Sequence, residues 1–193
     1  MNAPGRPAAV EPDEPEERSG LGPGLPIQAE QTSEAVTPLR LREALGRFAT
    51  GVTIITCLDG HGERVGLTAN SFNALSLDPP LVLWSLRRQS LQLAAFQQAG
   101  GFVVNVLTQP QLLLSRRFAS KLDEKFEGAD WSAGVAGAPV LAGCVAVFQC
   151  ELLSQQDAGD HVLFIGRVVA LSQQPLAPLV YQAGHYHGLG DTL

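Results

Sequence analysis

The chain has 193 residues, of which 45% are hydrophobic and 17% are charged, so it can bury the core of one globular domain. Its formal net charge is -6. The first 36 residues hold seven acidic and two basic side chains, and the remainder is close to neutral. This distribution excludes the basic face that a nucleic-acid-binding protein requires.

Residues 1–36 are rich in Pro, Gly and Glu, and we expect a disordered tail there, followed by one folded domain over residues 37–193. The tail has no apolar segment typical of a secretory signal, and no apolar run is as long as a membrane span. The three cysteines are odd in number and form no C-x-x-C pair, so neither a disulfide framework nor a zinc site is indicated. The sequence therefore predicts a cytoplasmic protein.

The first predicted element is a helix that Thr37 caps, with Pro38 in its first position. Leu41, Leu45 and Phe48 follow at helical spacing, and Gly51 is a plausible stop. Apolar and β-branched runs then predict strands at residues 52–58, 64–68, 81–86, 102–107, 144–153, 161–171 and 179–186.

Short helices interrupt these strands. Ser90 can cap one that stops at Gly100, and residues 108–111 have the form of a capping box that opens another helix, running to about Ala119. Residues 121–140 are predicted to be mostly loop. Because strands and helices do not alternate as regular βαβ units, a closed or partly closed β-barrel with helical insertions fits better than a Rossmann sheet.

Two common kinds of catalytic site find little support. No G-x-S-x-G motif marks a nucleophilic serine. His185 and His187 would share one face of a strand, and His161 is a third candidate ligand, but no carboxylate stands at motif spacing. We therefore predict no metal site.

The segment 66–73 ends an apolar strand with small and hydrogen-bonding residues. Small side chains let a planar ligand lie against the backbone, and amides and hydroxyls can meet the donors and acceptors of a ring edge. An ordinary polar loop is the alternative interpretation. Two other segments, 85–90 and 115–119, combine hydroxyl groups with pairs of arginines, which suits them to bind anions or to form a solvated face.

Taken together, these segments resemble the flavin reductase family, which has the FMN-binding split barrel. The likeness covers roughly residues 38–187 and lies in the joint order of short motifs, at residues 51–56 (GVTIIT), 66–72 (GLTANSF), 76–82 (SLDPPLV), 102–107 (FVVNVL), 115–119 (SRRFA), 159–161 (GDH) and 165–168 (IGRV). The resemblance implies a mainly β, Greek-key-like split barrel with short inserted helices.

The resemblance also implies an activity. Members similar to this chain are homodimers that reduce FMN or FAD with NADH or NADPH, by hydride transfer to flavin N5. Many of them supply the reduced flavin to a separate monooxygenase. Such chemistry needs little from protein acids and bases, because the cofactor carries it. A split-barrel oxidase acting on a pyridoxine-type phosphate and a non-enzymatic flavin-binding protein are the alternatives.

The same resemblance assigns expected roles to single residues. The isoalloxazine would be lined by Thr68, Ala69, Asn70 and Ser71. The flavin would be bordered by Ser85, Arg88 and Ser90, with Asn105 in the same pocket. The phosphate or ribityl end would be held by Ser115, Arg116, Arg117 and Phe118. His161 would lie near the nicotinamide, as the catalytic residue. Tyr186 and His187 depart from the expected pattern and are left outside the predicted site.

Overall fold

A computed structural model describes residues 35–122 and 124–192, so most of the predicted disordered tail, residues 1–34, lies outside the described residues. Residues Thr37–Leu193 form one compact unit. In the described ranges the chain is mainly β, with twelve strands and three short α-helices. No helix in these ranges is long and apolar enough to cross a membrane.

The helices begin and end where local hydrogen bonds place them. They are α1 (Pro38–Leu45), α2 (Leu93–Gln98) and α3 (Leu112–Ala119). Thr37 caps α1 as predicted, since its side chain accepts a hydrogen bond from the Arg40 N–H, but the helix ends at Leu45 rather than near Gly51. The predicted capping box of Thr108 and Gln111 before α3 is present, and the Gln111 side chain accepts from the Thr108 N–H at 3.0 Å.

The strands are β1 (Thr50–Gly51), β2 (Thr53–Leu58), β3 (Arg64–Ala69), β4 (Asn73–Leu77), β5 (Pro80–Arg87), β6 (Gly101–Val106), β7 (Trp131–Ala133), β8 (Pro139–Leu141), β9 (Ala146–Ala158), β10 (His161–Gln173), β11 (Val180–Gln182) and β12 (His185–His187). The predicted loop at 121–140 therefore contains part of the small β7–β8 sheet. The single strand predicted at 179–186 was wrong, because positive φ angles at Ala183 and Gly184 turn the chain into the β11–β12 hairpin.

Seven strands form one antiparallel sheet in the order β3-β2-β6-β9-β10-β5-β4. Leu67 of β3, near one edge, and Trp84 of β5, near the other, are buried in the same apolar cluster. The sheet therefore curls around a shared core. Within the residues described, no backbone ladder joins the edge strands β3 and β4. The mainly β, split-barrel class predicted from the sequence is confirmed, and its ladder is open at this seam.

One side chain extends the pairing of β4 with β5 beside the open seam. The chain passes from β3 to β4 through residues 70–72, and β4 pairs with β5 only as far as Asn73 opposite Leu83. Beyond that point the Ser71 hydroxyl takes over, donating to the Ser85 carbonyl at 2.9 Å and accepting from the Ser85 N–H at 3.1 Å. Ser71 thus satisfies backbone groups that a paired strand would otherwise satisfy.

A second apolar cluster covers the outer face of β2 and β6. Phe118 of α3 packs there with Ile54 and Val103. Gly66 permits this approach, because a Cβ at that position would lie 2.6 Å from the Phe118 ring. The sequence of β3 therefore fixes how closely α3 can pack.

Asn105 connects three strands inside this second layer. Its side chain is completely buried, donates to the Ile54 carbonyl at 3.1 Å and accepts from the Leu141 N–H at 2.8 Å. The sequence-based hypothesis placed Asn105 in a flavin pocket. The structure places it in the core, with its amide engaged by β2 and β8.

We predict that Asn105→Ala lowers the free energy of unfolding by about 3 kcal/mol, because the buried Leu141 N–H and Ile54 carbonyl would each lose a partner. Urea unfolding followed by tryptophan fluorescence measures the change. The control is Asn73→Ala, since Asn73 is exposed and its side chain bonds the neighbouring Ala74 N–H. A loss for Asn105→Ala no larger than for this control would contradict the assigned role.

Candidate functional site

The outer face of β5 and β10 carries several residues that the sequence singled out. In the ladder Ser85 lies opposite Leu163, and His161 lies opposite Arg87. Residues two apart on a strand share a face, so Ser85 and His161 lie on the same side, about 7 Å apart along the strand direction. The alternate residues Trp84 and Phe164 are buried in the core behind them.

A groove of about 1270 Å³ opens beside this face. Asn70, Ser71 and Leu83 line one side of it, and the segment after α1 and the β11–β12 turn line the other. Thr50 also borders the groove, and its buried hydroxyl has no hydrogen-bond partner among the described residues. The groove thus combines apolar surface with hydroxyl and amide groups, as a site for a planar polar ligand requires.

Ala69 and Thr68 end β3 on opposite faces. Ala69 packs against the inner core, and its carbonyl accepts from the Thr53 hydroxyl at 2.7 Å. Thr68 points to α3, where its hydroxyl donates to the Ser115 carbonyl at 2.7 Å. Thr68 therefore couples the strand to the helix that carries the predicted phosphate cluster.

Tyr186, left out of the predicted site, belongs to the α3 cluster. Its hydroxyl lies 3.0 Å from Oγ of the fully buried Ser115. The Arg116 guanidinium lies over the Tyr186 ring, 5.9 Å from its centre. No local sequence signal reveals this contact, because the β11–β12 hairpin brings Tyr186 to α3 across 71 residues.

The two arginines of α3 point to different places, since successive helical residues are about 100° apart. Arg116 is exposed beside Tyr186 and Ser115. Arg117 turns away and donates to the Glu127 carbonyl. Phe118 is buried against Phe126, with ring centres 4.9 Å apart, so it supports the helix from within the core.

Arg88 bonds the turn between β9 and β10, and His161 is the first residue of β10 after that turn. The Arg88 guanidinium donates from Nε to the Gly159 carbonyl at 3.0 Å and pairs through Nη2 with Asp157 at 2.8 Å. His161 Nδ1 lies 2.8 Å from the Asp160 carboxylate, and this hydrogen bond holds the pKa of Asp160 below its usual value. Ser90 follows Arg88 by two residues in the chain, and its hydroxyl accepts a hydrogen bond from the Gln92 N–H. The predicted cap at Ser90 thus stabilises a turn before α2.

The structure brings the predicted site residues together in two groups. Ser71 bonds Ser85, whose face of β5 and β10 also carries His161. Thr68 bonds Ser115 of α3, the helix that carries Arg116. The side chains of Asn105, Ser115 and Phe118 are buried, and Ala69 packs against the inner core.

Thiol and metal chemistry have no support in this arrangement. Burial raises the pKa of Cys57 and Cys150 to about 12 and that of Cys144 to about 11, so their thiols stay protonated at neutral pH. Across residues 35–122 and 124–192, no three His, Cys, Asp or Glu side chains are grouped so that they could hold a metal ion.

Comparison with known proteins gives a consistent result. Residues 45–190 match the family model of the flavin reductase like domain. The reductase subunit of a flavin-dependent monooxygenase from Rhodococcus jostii is 44% identical over 158 residues, which are 81% of this chain and 80% of that protein. A probable flavin reductase from Rhizobium meliloti is 42% identical over 155 residues. That match spans 80% of this chain but only half of the length of the Rhizobium protein.

A solved structure extends the likeness to three dimensions. The NADH:FAD oxidoreductase of Streptomyces globisporus, in complex with NAD and FAD fragments, superposes with a TM-score of 0.76 at 33% sequence identity. The superposition covers 82% of this chain and 98% of the Streptomyces chain.

Proposed function

The chain belongs to the flavin reductase family, and we propose on that premise that it reduces FMN or FAD with NADH or NADPH, by hydride transfer to flavin N5. The observation that carries the proposal is the family match over residues 45–190, which include every residue of the predicted site. The chain has little visible acid–base machinery on the outer surface described above. This is expected, because bound flavin and nicotinamide supply the redox chemistry themselves.

The residues present fit a flavin. The groove offers Leu83 as apolar contact surface, the Asn70 amide as a donor and acceptor, and the unpartnered Thr50 hydroxyl. Arg116 offers an exposed guanidinium, and charge-assisted hydrogen bonds of this kind are the strong contacts to phosphate. We therefore assign isoalloxazine contacts to Asn70 and Ser71, and the phosphate contact to Arg116.

The remaining residues orient these contacts. Thr68 and Ser115 hold α3 against β3, so that Arg116 is presented at the surface. Ser85 anchors Ser71, which fixes the backbone of the segment next to the groove. We assign His161 to the nicotinamide side, because it lies on the same outer face as Ser85. Positioning of this kind is the main contribution that a protein makes to hydride transfer between two cofactors.

The proposed activity is tested by following the absorbance of NADH and of NADPH with FMN, FAD and riboflavin in turn. We expect steady oxidation of the nicotinamide that depends on added flavin. A protein that retains yellow flavin but turns over no nicotinamide would be a flavin-binding protein. Oxidation of a pyridoxine-type phosphate without any nicotinamide would indicate the split-barrel oxidase instead.

Replacement of Arg116 by Ala tests the phosphate contact. A hydrogen bond to a charged group contributes about 1.5–3 kcal/mol, so the Michaelis constant for FMN should rise about ten-fold or more. Riboflavin lacks the phosphate, and its constant should change far less. The maximal rate should change little, because the phosphate is remote from N5.

Arg117→Ala is the matched comparison on the same helix, and we expect a smaller effect because Arg117 bonds the Glu127 carbonyl. Equal weakening of FMN and riboflavin in Arg116→Ala would remove phosphate binding from α3. A collapse of the rate without a change in flavin affinity would place Arg116 in the wrong part of the site.

We also propose that the protein is a homodimer. The β9–β10 hairpin exposes Leu153, Val169 and Leu171, the last with 65% of its surface accessible. A second subunit that covered them would remove apolar surface from water. Sedimentation should give about twice the chain mass of 20.5 kDa. A fully active monomer would contradict this proposal.

The partner that we propose is a flavin-dependent monooxygenase, which would receive the reduced flavin. The Rhodococcus relative, named as the reductase subunit of such an enzyme, supports this role.

We place the protein in the cytoplasm, because its three cysteines are unpaired and buried, as is usual in a reducing compartment.

A further inference from the structure

We propose that Arg88 is a positioning residue, which holds the β9–β10 turn so that His161 faces the outer surface beside Ser85. The inference rests on the proposed function, because it gives His161 its place near the nicotinamide. It differs from the role that the sequence suggested for Arg88, which was to border the flavin directly.

Arg88 forms two hydrogen bonds and one ion pair with residues at the end of the β9–β10 hairpin. Its backbone N–H donates to the Asp160 carbonyl at 2.9 Å. Its Nε donates to the Gly159 carbonyl at 3.0 Å, and its Nη2 pairs with Asp157 at 2.8 Å. These bonds engage both sides of a two-residue turn, since β9 ends at Ala158 and β10 begins at His161. The turn is therefore fixed relative to β5, the strand that carries Ser85.

Asp160, the second residue of the turn, contacts the His161 ring. The Asp160 carboxylate lies 2.8 Å from His161 Nδ1, so it favours the tautomer in which Nδ1 carries the proton and Nε2 is free to accept. The His161 side chain is 35% exposed and that of Asp160 is 89% exposed, so the direction of the ring depends on how firmly the backbone of the turn is held. The backbone bond from Arg88 to the Asp160 carbonyl would persist with any residue but proline at position 88. The part that the Arg88 side chain adds is its contacts with Gly159 and Asp157, the residues that precede Asp160 in the turn.

The charge pair itself adds little to the stability of the whole fold. The Arg88 and Asp157 side chains are 45% and 67% exposed, and ion pairs at such positions are screened by solvent. Loss of the Arg88 side chain should therefore loosen the turn and leave the barrel folded. The effect of Arg88 on the turn can therefore be measured in a protein that is still folded.

The test compares Arg88→Ala with Arg167→Ala. Arg167 of β10 forms a comparably exposed ion pair with Glu151 of β9 at 2.7 Å, away from the turn, with side chains 53% and 47% exposed. In protein without added flavin or nicotinamide, amide hydrogen exchange reports the order of residues 157–161, and nitrogen NMR reports the His161 tautomer. Michaelis constants for NADH and for the flavin complete the comparison.

We expect Arg88→Ala to speed exchange in the turn and to give a mixture of His161 tautomers. The Michaelis constant for NADH should rise about ten-fold, a change that corresponds to about 1.4 kcal/mol, while the constant for flavin stays the same. Arg88→Lys keeps a charge opposite Asp157 and should restore part of the effect. Arg167→Ala should leave turn exchange, tautomer and both constants as in the unmodified protein.

Two results would overturn the inference. One is unchanged exchange and tautomer in Arg88→Ala. The other is a Michaelis constant that rises for FMN and not for riboflavin, which would make Arg88 a phosphate contact. If the unmodified protein oxidises no NADH while the turn still loosens in Arg88→Ala, the proposed function fails and the positioning of His161 by Arg88 stands.

Discussion

The Ser71 hydroxyl takes the place of a backbone strand beside β5, next to the seam where the curled sheet is left open. Extension of the β4–β5 ladder beyond Asn73 would use the backbone of residues 70–72 for pairing. The two bonds between Ser71 and Ser85 instead hold this segment against β5 by a side chain, so the neighbouring Asn70 is free to line the groove. The Ser71 hydroxyl donates and accepts as a backbone peptide group would. It thus stabilises this segment and leaves the groove accessible to a ligand.

The rigidity of the outer face comes from the aromatic core behind it. The Trp84 and Phe164 rings stack with centres 4.6 Å apart, and Phe96 meets Trp84 edge to face at 4.9 Å. Because side chains alternate along a strand, fixing Trp84 and Phe164 inside also fixes Ser85 and Leu163 outside. The site is therefore positioned by packing on the opposite face of the sheet.

The sequence predicts those parts of the fold that depend on local pattern. The Thr37 cap and the long strands near His161 follow from neighbouring residues, and the structure contains them. The β11–β12 hairpin and the contact of Tyr186 with Ser115 depend on residues distant in the chain, so no local pattern reports them. Asn105 shows the same limit, since an amide in an apolar strand suits a pocket and a buried network equally well until its partners are known.

Charge in the folded domain acts at short range. Residues 37–193 hold twelve acidic and eleven basic side chains, so their summed field attracts an anionic ligand only weakly. Arg88 and Arg167 are paired with carboxylates, and Arg117 bonds a carbonyl, whereas Arg116 stays exposed above Tyr186. On the proposed function, a phosphate at Arg116 would be held by close contact with an exposed guanidinium and not by long-range attraction. Weak long-range attraction would suit a flavin that leaves after reduction, which the proposed supply of reduced flavin to a monooxygenase requires.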